Sequence, residues 1–393
     1  MSETTEKSGF KIQTSSLRAY TMLGAMALIW LFFYWQTDGV FLTPRNLSNL
    51  MLQMSVTGIL AVGMLMVIVS GNIDLSVGSV MGLAGAIAAI LLLDYGLFPA
   101  TLAAIAVSVA LGAFHGFLTA YFNIPAFIVT LGGLLAWRGA TKGVTKAETI
   151  DVSNATFTQI GQGYLGSTEI PLSANTFFNL NYGWLLAILA IAVVLFLAYK
   201  RAKSQKQYGL GEANYGAEGV KSIVPVGAIL VFVFVMNSYK GVPIPVLILL
   251  AAAGFGIFIT NSTVFGRYLY AIGGNADAAR LSGINTKLNV LKVFALLGAF
   301  VGIASLVNTA RLGSATVDAG VLKELDAIAA CVIGGASLMG GRGTIFGACL
   351  GALIMESLDN GMLLMDVRDF MKELIKGAVL VAAVGIDMIG KRN

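Results

Sequence analysis

The stretch Leu47-Ser-Asn-Leu-Met-Leu-Gln-Met-Ser-Val-Thr-Gly-Ile-Leu-Ala-Val-Gly-Met-Leu-Met-Val-Ile-Val-Ser70 decides the fold. It is an uncharged, predominantly apolar run, and a helix of about 20 such residues crosses the ~30 Å hydrocarbon core of a bilayer. A glycine-rich polar break follows, Gly71-Asn-Ile-Asp74-Leu-Ser76-Val-Gly78, and then a second apolar run. Runs of this kind recur at 19–36, 47–70, 75–93, 97–120, 124–141, 181–199, 222–238, 245–260, 290–310, 326–340, 343–358 and 370–389. The expected fold is therefore all-α: a polytopic transmembrane bundle of about 10–12 spans, with two related halves and some broken or re-entrant helices. The alternating ten-residue segments of a transmembrane β-barrel do not occur.

Composition agrees. Of 393 residues 57% are hydrophobic and only 11% are charged, against about a quarter charged in soluble domains. The 47 glycines suit helices that must approach closely where lipid gives no hydrophobic drive to associate. Gly-x-x-x-Gly spacing at Gly78/Gly82, Gly112/Gly116, Gly298/Gly302 and Gly343/Gly347/Gly351 predicts close helix packing. Cys331 and Cys349 both fall inside apolar runs, which argues against a disulfide framework or a cysteine metal cluster. The pI of about 9.1 reflects Lys and Arg in short loops rather than a basic stripe for nucleic acid.

Those basic loops set the expected orientation. Residues 200–221 hold Lys200, Arg201, Lys203, Lys206 and Lys221, residues 261–289 hold Arg267, Arg280 and Lys287, and the chain ends Lys391-Arg392-Asn393. They alternate as cytoplasmic, which places both termini inside. The expected organisation is a cytoplasmic tail at 1–18 and one transmembrane domain at 19–393, with a periplasmic loop at 142–180 and cytoplasmic loops at 200–221 and 261–289. Ala19 to Trp35 reads as a retained first span rather than a signal peptide. Gly161-x-Gly163-x-x-Gly166 matches a dinucleotide fingerprint by letters alone, with no strand before it.

Sliding the chain 265 positions lays Val67-Ile68 on Val332-Ile333 and Gly78-Ser-Val-Met-Gly82 on Gly343-Thr-Ile-Phe-Gly347. Related halves around a pathway are a common transporter plan, with the site at their interface and often on interrupted helices.

Polar groups inside lipid are functional candidates. Asp74 stands before an apolar helix, where it either caps that helix or, lying in a break between spans, helps shape a pathway. Asn72, Asp74, Ser76 and Gln53 are pathway candidates, with Asp326, Glu356, Asp359 and Asn360 as the densest polar set, whose bland reading is a solvated rim at span ends. His115, the sole histidine, has no carboxylate nearby in sequence and reads as a packing residue. In the loop at 261–289, Gly273-Gly-Asn275-Ala-Asp277-Ala278-Ala279-Arg280-Leu281-Ser282-Gly283-Ile284 orders a turn, a cap, a short helix and a stop, an element another protein can grip. No Gly-x-x-x-x-Gly-Lys-[Ser/Thr] phosphate cradle occurs, so no bound nucleotide or other cofactor is expected on this chain.

That loop, the run Gly71-Asn-Ile-Asp-Leu-Ser-Val-Gly-Ser79 and the stretch Glu324-Leu-Asp-Ala-Ile-Ala-Ala-Cys-Val-Ile-Gly-Gly335 resemble the ribose/xylose/galactose-type permeases of ABC sugar importers, from about residue 40 to 390. Thr37-Asp38-Gly39, Gly241-Val-Pro243, Ser357-Leu-Asp-Asn-Gly361 and an extra helix pair around 181–238 resemble the xylose branch. The resemblance implies a non-enzymatic translocation subunit for D-xylose or a similar pentose or hexose, in the bacterial inner membrane. It implies a homodimer of permeases, a cytoplasmic ABC ATPase subunit that binds ATP and Mg, and a periplasmic sugar-binding protein. By matching position, Asn275 to Ile284 is the ATPase-coupling helix, although relatives often carry Glu where this chain has Asp277. The alternatives are an ion-coupled secondary sugar transporter, disfavoured because the acids sit at span ends, and a non-transporting scaffold.

Overall fold

The computed structural model describes residues 14–165, 182–207 and 215–389. Its helices are α1 (Thr14–Gln36), α2 (Pro44–Val69), α3 (Val77–Tyr95), α4 (Leu97–Tyr121), α5 (Ala126–Val144), α6 (Ala155–Gln162), α7 (Tyr182–Gln207) and α8 (Tyr215–Asn237). There follow α9 (Ile244–Ser262), α10 (Val264–Gly274), α11 (Ala276–Leu281), α12 (Thr286–Leu312), α13 (Lys323–Ile333), α14 (Ile345–Leu364) and α15 (Asp369–Ile389). Among the described residues seven helices are long and apolar enough to cross a membrane, namely α2, α3, α4, α7, α8, α9 and α12.

The interior is mostly apolar but also holds Asn46, Asp74, His115, Glu324, Asp326 and Glu356, while large apolar side chains such as Phe98, Leu135, Phe196, Val224, Phe234 and Val381 are exposed. An apolar exterior of this extent is what a lipid solvent favours. α2 and α12 form the centre; from Leu50 to Ser70 every residue of α2 except Gln53 is buried. α7 and α8 pack on each other and leave most of their apolar surface outward.

Glycine sets the central crossing. A β-carbon on Gly112 of α4 would overlap the Phe294 carbonyl of α12, and one on Gly298 of α12 would overlap the Ser108 carbonyl of α4. Gly116 and Gly302 extend the same contact against Leu291 and Ile105. Gly347 and Gly351 of α14 meet the carbonyls of Gly334 and Ala330, and Gly78 and Gly82 of α3 meet those of Gly320 and Ala319. The expected helix packing holds for Gly112/Gly116, Gly298/Gly302 and Gly347/Gly351; Gly78/Gly82 instead pack on irregular chain, and Gly343 lies in the break before α14.

Several boundaries differ from the expectation. The span at 326–340 is instead the half-helix α13, 11 residues long; at 1.5 Å per residue it covers only about 16 Å. It stops at Gly334, and Gly335 (φ +93°) turns the chain before α14 begins at Ile345. The 200–221 loop is mostly helix, because α7 continues to Gln207 and α8 starts at Tyr215. The described part of the 142–180 loop carries structure of its own: β1 (Ile150–Asp151) pairs antiparallel with β4 (Ser314–Ala315), and β2 (Tyr164–Leu165) with β3 (Val242–Pro243), with α6 between them on α12. Gly161 of the chance fingerprint packs against the backbone of Ala310 and Arg311. Residues 14–18 of the tail belong to α1, while 1–13, 166–181 with Gly166, 208–214 and Lys391-Arg392 lie outside the described residues.

The internal echo marks two helix interruptions. α2 ends at Val69 and α3 starts at Val77; α13 ends at Ile333 and α14 starts at Ile345. The two breaks touch, since the Gly341 amide donates to the Val69 carbonyl at 2.9 Å.

Substitution of alanine separates packing glycines from free ones. Gly298→Ala should destabilise the chain by about 1–3 kcal/mol through overpacking, whereas Gly254→Ala on α9, with nothing within 4 Å of the added carbon, should be neutral or stabilising by up to ~1 kcal/mol. Thermal unfolding of both variants in detergent checks the opposite signs.

Candidate functional site

Helix α13 begins inside the bundle and brings Lys323, Glu324 and Asp326 with it. Lys323 Nζ lies 2.7 Å from Glu356 Oε1 on α14 and 3.2 Å from Asp326 Oδ2. Thr57 of α2 donates to the same Glu356 oxygen and accepts from Lys323 at 3.1 Å. Lys376 of α15 holds Asp326 at 2.9 Å and Asp359 at 2.5 Å. The rim expected for Asp326, Glu356, Asp359 and Asn360 is therefore a buried network, with Glu356 and Asp326 each only 3% exposed. Oxygens of Asp326, Glu356 and Asp359 lie within 4.8 Å of one another. That spacing suits a cation, and the two lysine ammonium groups supply the compensating charge.

A cavity of about 280 Å³ opens beside this network, lined by Gln53, Asn308, Arg311, Lys323, Glu356 and Asp359 among others. Of the sequence candidates, Gln53, Glu356 and Asp359 thus meet at one void, with Asp326 behind them. Asn360 does not join them: it accepts from Asn46 Nδ2 at 2.7 Å and ties α14 to the start of α2. Lys323, Lys376 and Arg311 escaped the sequence reading. Lys323 was legible only as the i,i+3 partner of Asp326; the other two gave no local signal.

Asp74 and Ser76 form a second, separate network. Asp74 Oδ1 accepts from the Ser76 backbone amide at 2.7 Å and from its hydroxyl at 2.6 Å. The carboxylate thus orders the turn before α3 and also enters the bundle. Trp137 of α5 donates its indole N–H to His115 Nε2 at 2.9 Å, and Ser76 Oγ lies 3.2 Å from His115 Nδ1. With Nε2 accepting, Nδ1 of the neutral ring carries the hydrogen, and the bonds run one way from Trp137 through His115 and Ser76 to Asp74. His115, which has no carboxylate nearby in sequence, meets one in space: Asp74 Oδ2 is 3.9 Å away. Asn72 stays local, donating to Ser70. Glu324 lies between the networks, buried against Gly78 and 3.9 Å from Arg138.

At the opposite end of α2 the chain presents α11. Asn275 Oδ1 accepts from Ala278 N at 2.9 Å, capping the helix. At its end Gly283 N bonds to Arg280 O and Ile284 N to Ala279 O, with Gly283 at φ +85°, a Schellman stop. Ser282 adds a bond to the Ala278 carbonyl at 2.9 Å. Only Ala279 is buried; Asp277 and Arg280 pair at 3.3 Å in the open, and Leu281 is 85% exposed. Gly273, two residues before the cap, has no room for a β-carbon against the Val69 carbonyl and the Gly341 amide. Gly340 in turn packs on Gly273 and Gly71. Tyr270 of α10 donates to the Gly343 carbonyl at 2.8 Å, and burial pushes its phenol pKa up, which keeps it a donor. The end of α10 that leads into the short helix is therefore packed, backbone to backbone, on both helix interruptions.

Removing one partner from a buried ion pair costs about 3–5 kcal/mol, while replacing both by apolar groups is often neutral. Lys323→Met should therefore lower stability in detergent by that amount, and adding Glu356→Leu should recover most of it, as read by thermal unfolding.

Comparison with known proteins fits this architecture. Residues 46–384 match the family described as branched-chain amino acid transport system / permease component. The chain is 45% identical over 386 residues to the xylose transport system permease protein of Haemophilus influenzae, covering 98% of this chain and 100% of that one. It is 44% identical to the Escherichia coli K12 protein of the same name, over 97% of this chain and 94% of that one. The ribose import permease protein of Escherichia coli K12 is 34% identical over 88% of this chain and 87% of that one. No solved structure gives a significant match. The burial of Glu356 and Asp326 removes the ground on which ion coupling was disfavoured, and the relatives now carry that distinction: a permease match over 339 residues, 46 to 384, with an interrupted polytopic bundle beneath it, makes this chain a member of that membrane permease family.

Proposed function

We propose that this chain is the translocation subunit of an ATP-driven importer for xylose, working as a pair of copies with a cytoplasmic ATPase and an extracytoplasmic sugar-binding protein. The observation that carries the reading is the exposed, doubly capped helix α11, which follows directly on the α10 glycines packed against both interruptions, in a chain with no phosphate cradle. Energy enters from outside the chain. The end bearing α10 and α11 faces the cytoplasm, as the positive-inside rule favours for Arg267, Arg280 and Lys287, and both termini lie on that side.

Closure of the ATPase pair pushes α11 at Asp277, Arg280 and Leu281. Because Gly273 is packed against Val69 and Gly341 without intervening side chains, the push displaces the breaks between α2 and α3 and between α13 and α14 together. Lys323 and Glu356, on α13 and α14, move with those breaks, so the polar cavity alternates its opening. Xylose follows from the names of the two nearly full-length relatives.

Uptake assays test this directly. Collapse of xylose uptake on ATP depletion supports the proposal, and collapse on uncoupler with ATP intact overturns it. Arg280→Ala and Gly283→Val should each lower ATP-driven uptake at least about tenfold, equivalent to ~1.4 kcal/mol of coupling, with the permease still inserted and monodisperse in detergent. Wild-type uptake in both would remove α11 from the mechanism.

A further inference from the structure

A second cavity, of about 330 Å³, lies against the first and is lined by Asn49, Leu52, Gln53, Gln162, Tyr164, Tyr239, Lys240 and Arg311. Gln53 and Arg311 border both voids, so one pair of side chains is the floor of this chamber and the wall of the charged one. Asn49, Gln53 and Thr57 follow at i, i+4 and i+8 on one face of α2, a polar track from the chamber to the buried Lys323–Glu356 pair. The volume equals roughly ten waters, the scale of a monosaccharide ring.

We propose that this outer chamber is an entry subsite for a neutral monosaccharide, formed by Asn49, Gln53, Gln162, Tyr164, Tyr239 and Arg311, from which sugar passes to the charged cavity. The proposal rests on the importer reading and adds the place where sugar is first held by this chain. A sugar has hydroxyls that both donate and accept around a ring with apolar C–H faces. The chamber answers each property. The amides of Asn49 and Gln53 each offer a donor and an acceptor group, while Gln162, whose nitrogen donates to the Arg311 carbonyl at 2.9 Å, offers its oxygen as acceptor. Tyr164 and Tyr239 stand edge to face, centroids 6.2 Å apart and planes at 84°, and form an aromatic corner. Such a mixture of aromatic wall and a few placed polar groups is how small-molecule sites are generally built.

Arg311 supplies an independent argument. One terminal nitrogen reaches Asn308 Oδ1 at 3.4 Å, but Nε is buried with no hydrogen-bond partner among the described residues. A buried cationic donor without an acceptor is costly, and a hydroxyl oxygen arriving in the chamber satisfies it. Ligand charge is decided by the route. Lys240 and Arg311 alone would also attract an anion, but Lys240 is drawn over the two tyrosine rings, 5.4 and 5.6 Å from their centroids. The adjoining cavity carries both signs, Glu356 and Asp359 beside Lys323, Lys372 and Arg311, a wall of alternating acceptors and donors that suits a neutral polyol. The chamber also explains the placement of the α7–α8 hairpin, since Tyr239 and Lys240 lie just beyond the end of α8 and Tyr164 is held by pairing with Pro243.

Saturation-transfer-difference NMR of the full permease in detergent, with xylose as probe, reads weak sugar contact directly. Wild type should transfer saturation to the sugar ring protons. Tyr239→Ala and Gln162→Ala should each cut the transfer at least about fivefold, and Tyr239→Phe should retain it. In proteoliposomes with the ATPase and the loaded binding protein, the same two variants should raise the sugar concentration for half-maximal uptake or lower the rate, with binding-protein-stimulated ATP hydrolysis retained. If Tyr239→Ala does not fold, the exposed position Asn49→Ala decides by the same readouts. Wild-type signals and uptake in the variants, with ATP-driven xylose uptake intact in the unmodified importer, overturn the subsite and leave the importer reading standing. Loss of stimulated ATP hydrolysis with unchanged saturation transfer overturns it in favour of a docking role. Displacement of xylose by inorganic phosphate overturns the neutral-ligand assignment. Failure of the complete unmodified importer to move xylose on ATP overturns the importer reading, and this inference with it.

Discussion

The hydrogen bond from the Gly341 amide to the Val69 carbonyl is the contact around which the bundle is arranged. In a hydrocarbon solvent an open carbonyl at a helix end is costly, so an interrupted helix persists only where protein supplies the missing partner. Each break here supplies it for the other. The glycines at 273, 340 and 341 are the condition for that, because a side chain there would press on the facing backbone. With this contact go the stop of α13 at Gly334 and the anchoring of α10, the helix that leads into α11, on both interruptions.

The interior charges follow the same logic at higher stakes. Three carboxylates and two lysines from α13, α14 and α15, with Thr57 of α2, satisfy one another at 2.5–3.2 Å. A buried network of this kind adds little net stability over apolar packing, yet it strongly penalises any arrangement that separates its members. It therefore favours discrete arrangements of these helices over a continuous range, which is what a two-state gate needs.

Much of the fold was legible in sequence because lipid imposes simple rules: long uncharged runs, small residues at crossings, basic loops. The Gly112/Gly116 and Gly298/Gly302 pairs were readable as contact surfaces and proved to face each other. The cap and stop of α11 were readable because both are local, fixed by Asn275 and Gly283. The 326–340 run was misjudged because α13 is as apolar as a span but is cut short by Gly334-Gly335, and its first charged turn looked like a loop. The sites were less legible for a different reason. His115 with Asp74, and Lys323 with Glu356, are 41 and 33 residues apart, and Lys376 reaches Asp326 over 50; no periodicity encodes such meetings. Gln53 stands out as a polar residue in an apolar run, whereas Arg311 lies at the end of α12 with nothing local in the sequence to mark it.

Helix α11 is only 6 residues long, yet its two ends are closed by its own chain, at Asn275 and through Gly283 and Ile284. A segment that short has no right to exist alone in water by propensity; here it is a prefabricated knob. A machine that grasps such a knob spends none of its stroke on winding the peptide, and can release and regrip it between turnovers without waiting for it to form. The cost of nucleating that turn is met once, when the polypeptide first folds, rather than once per molecule carried.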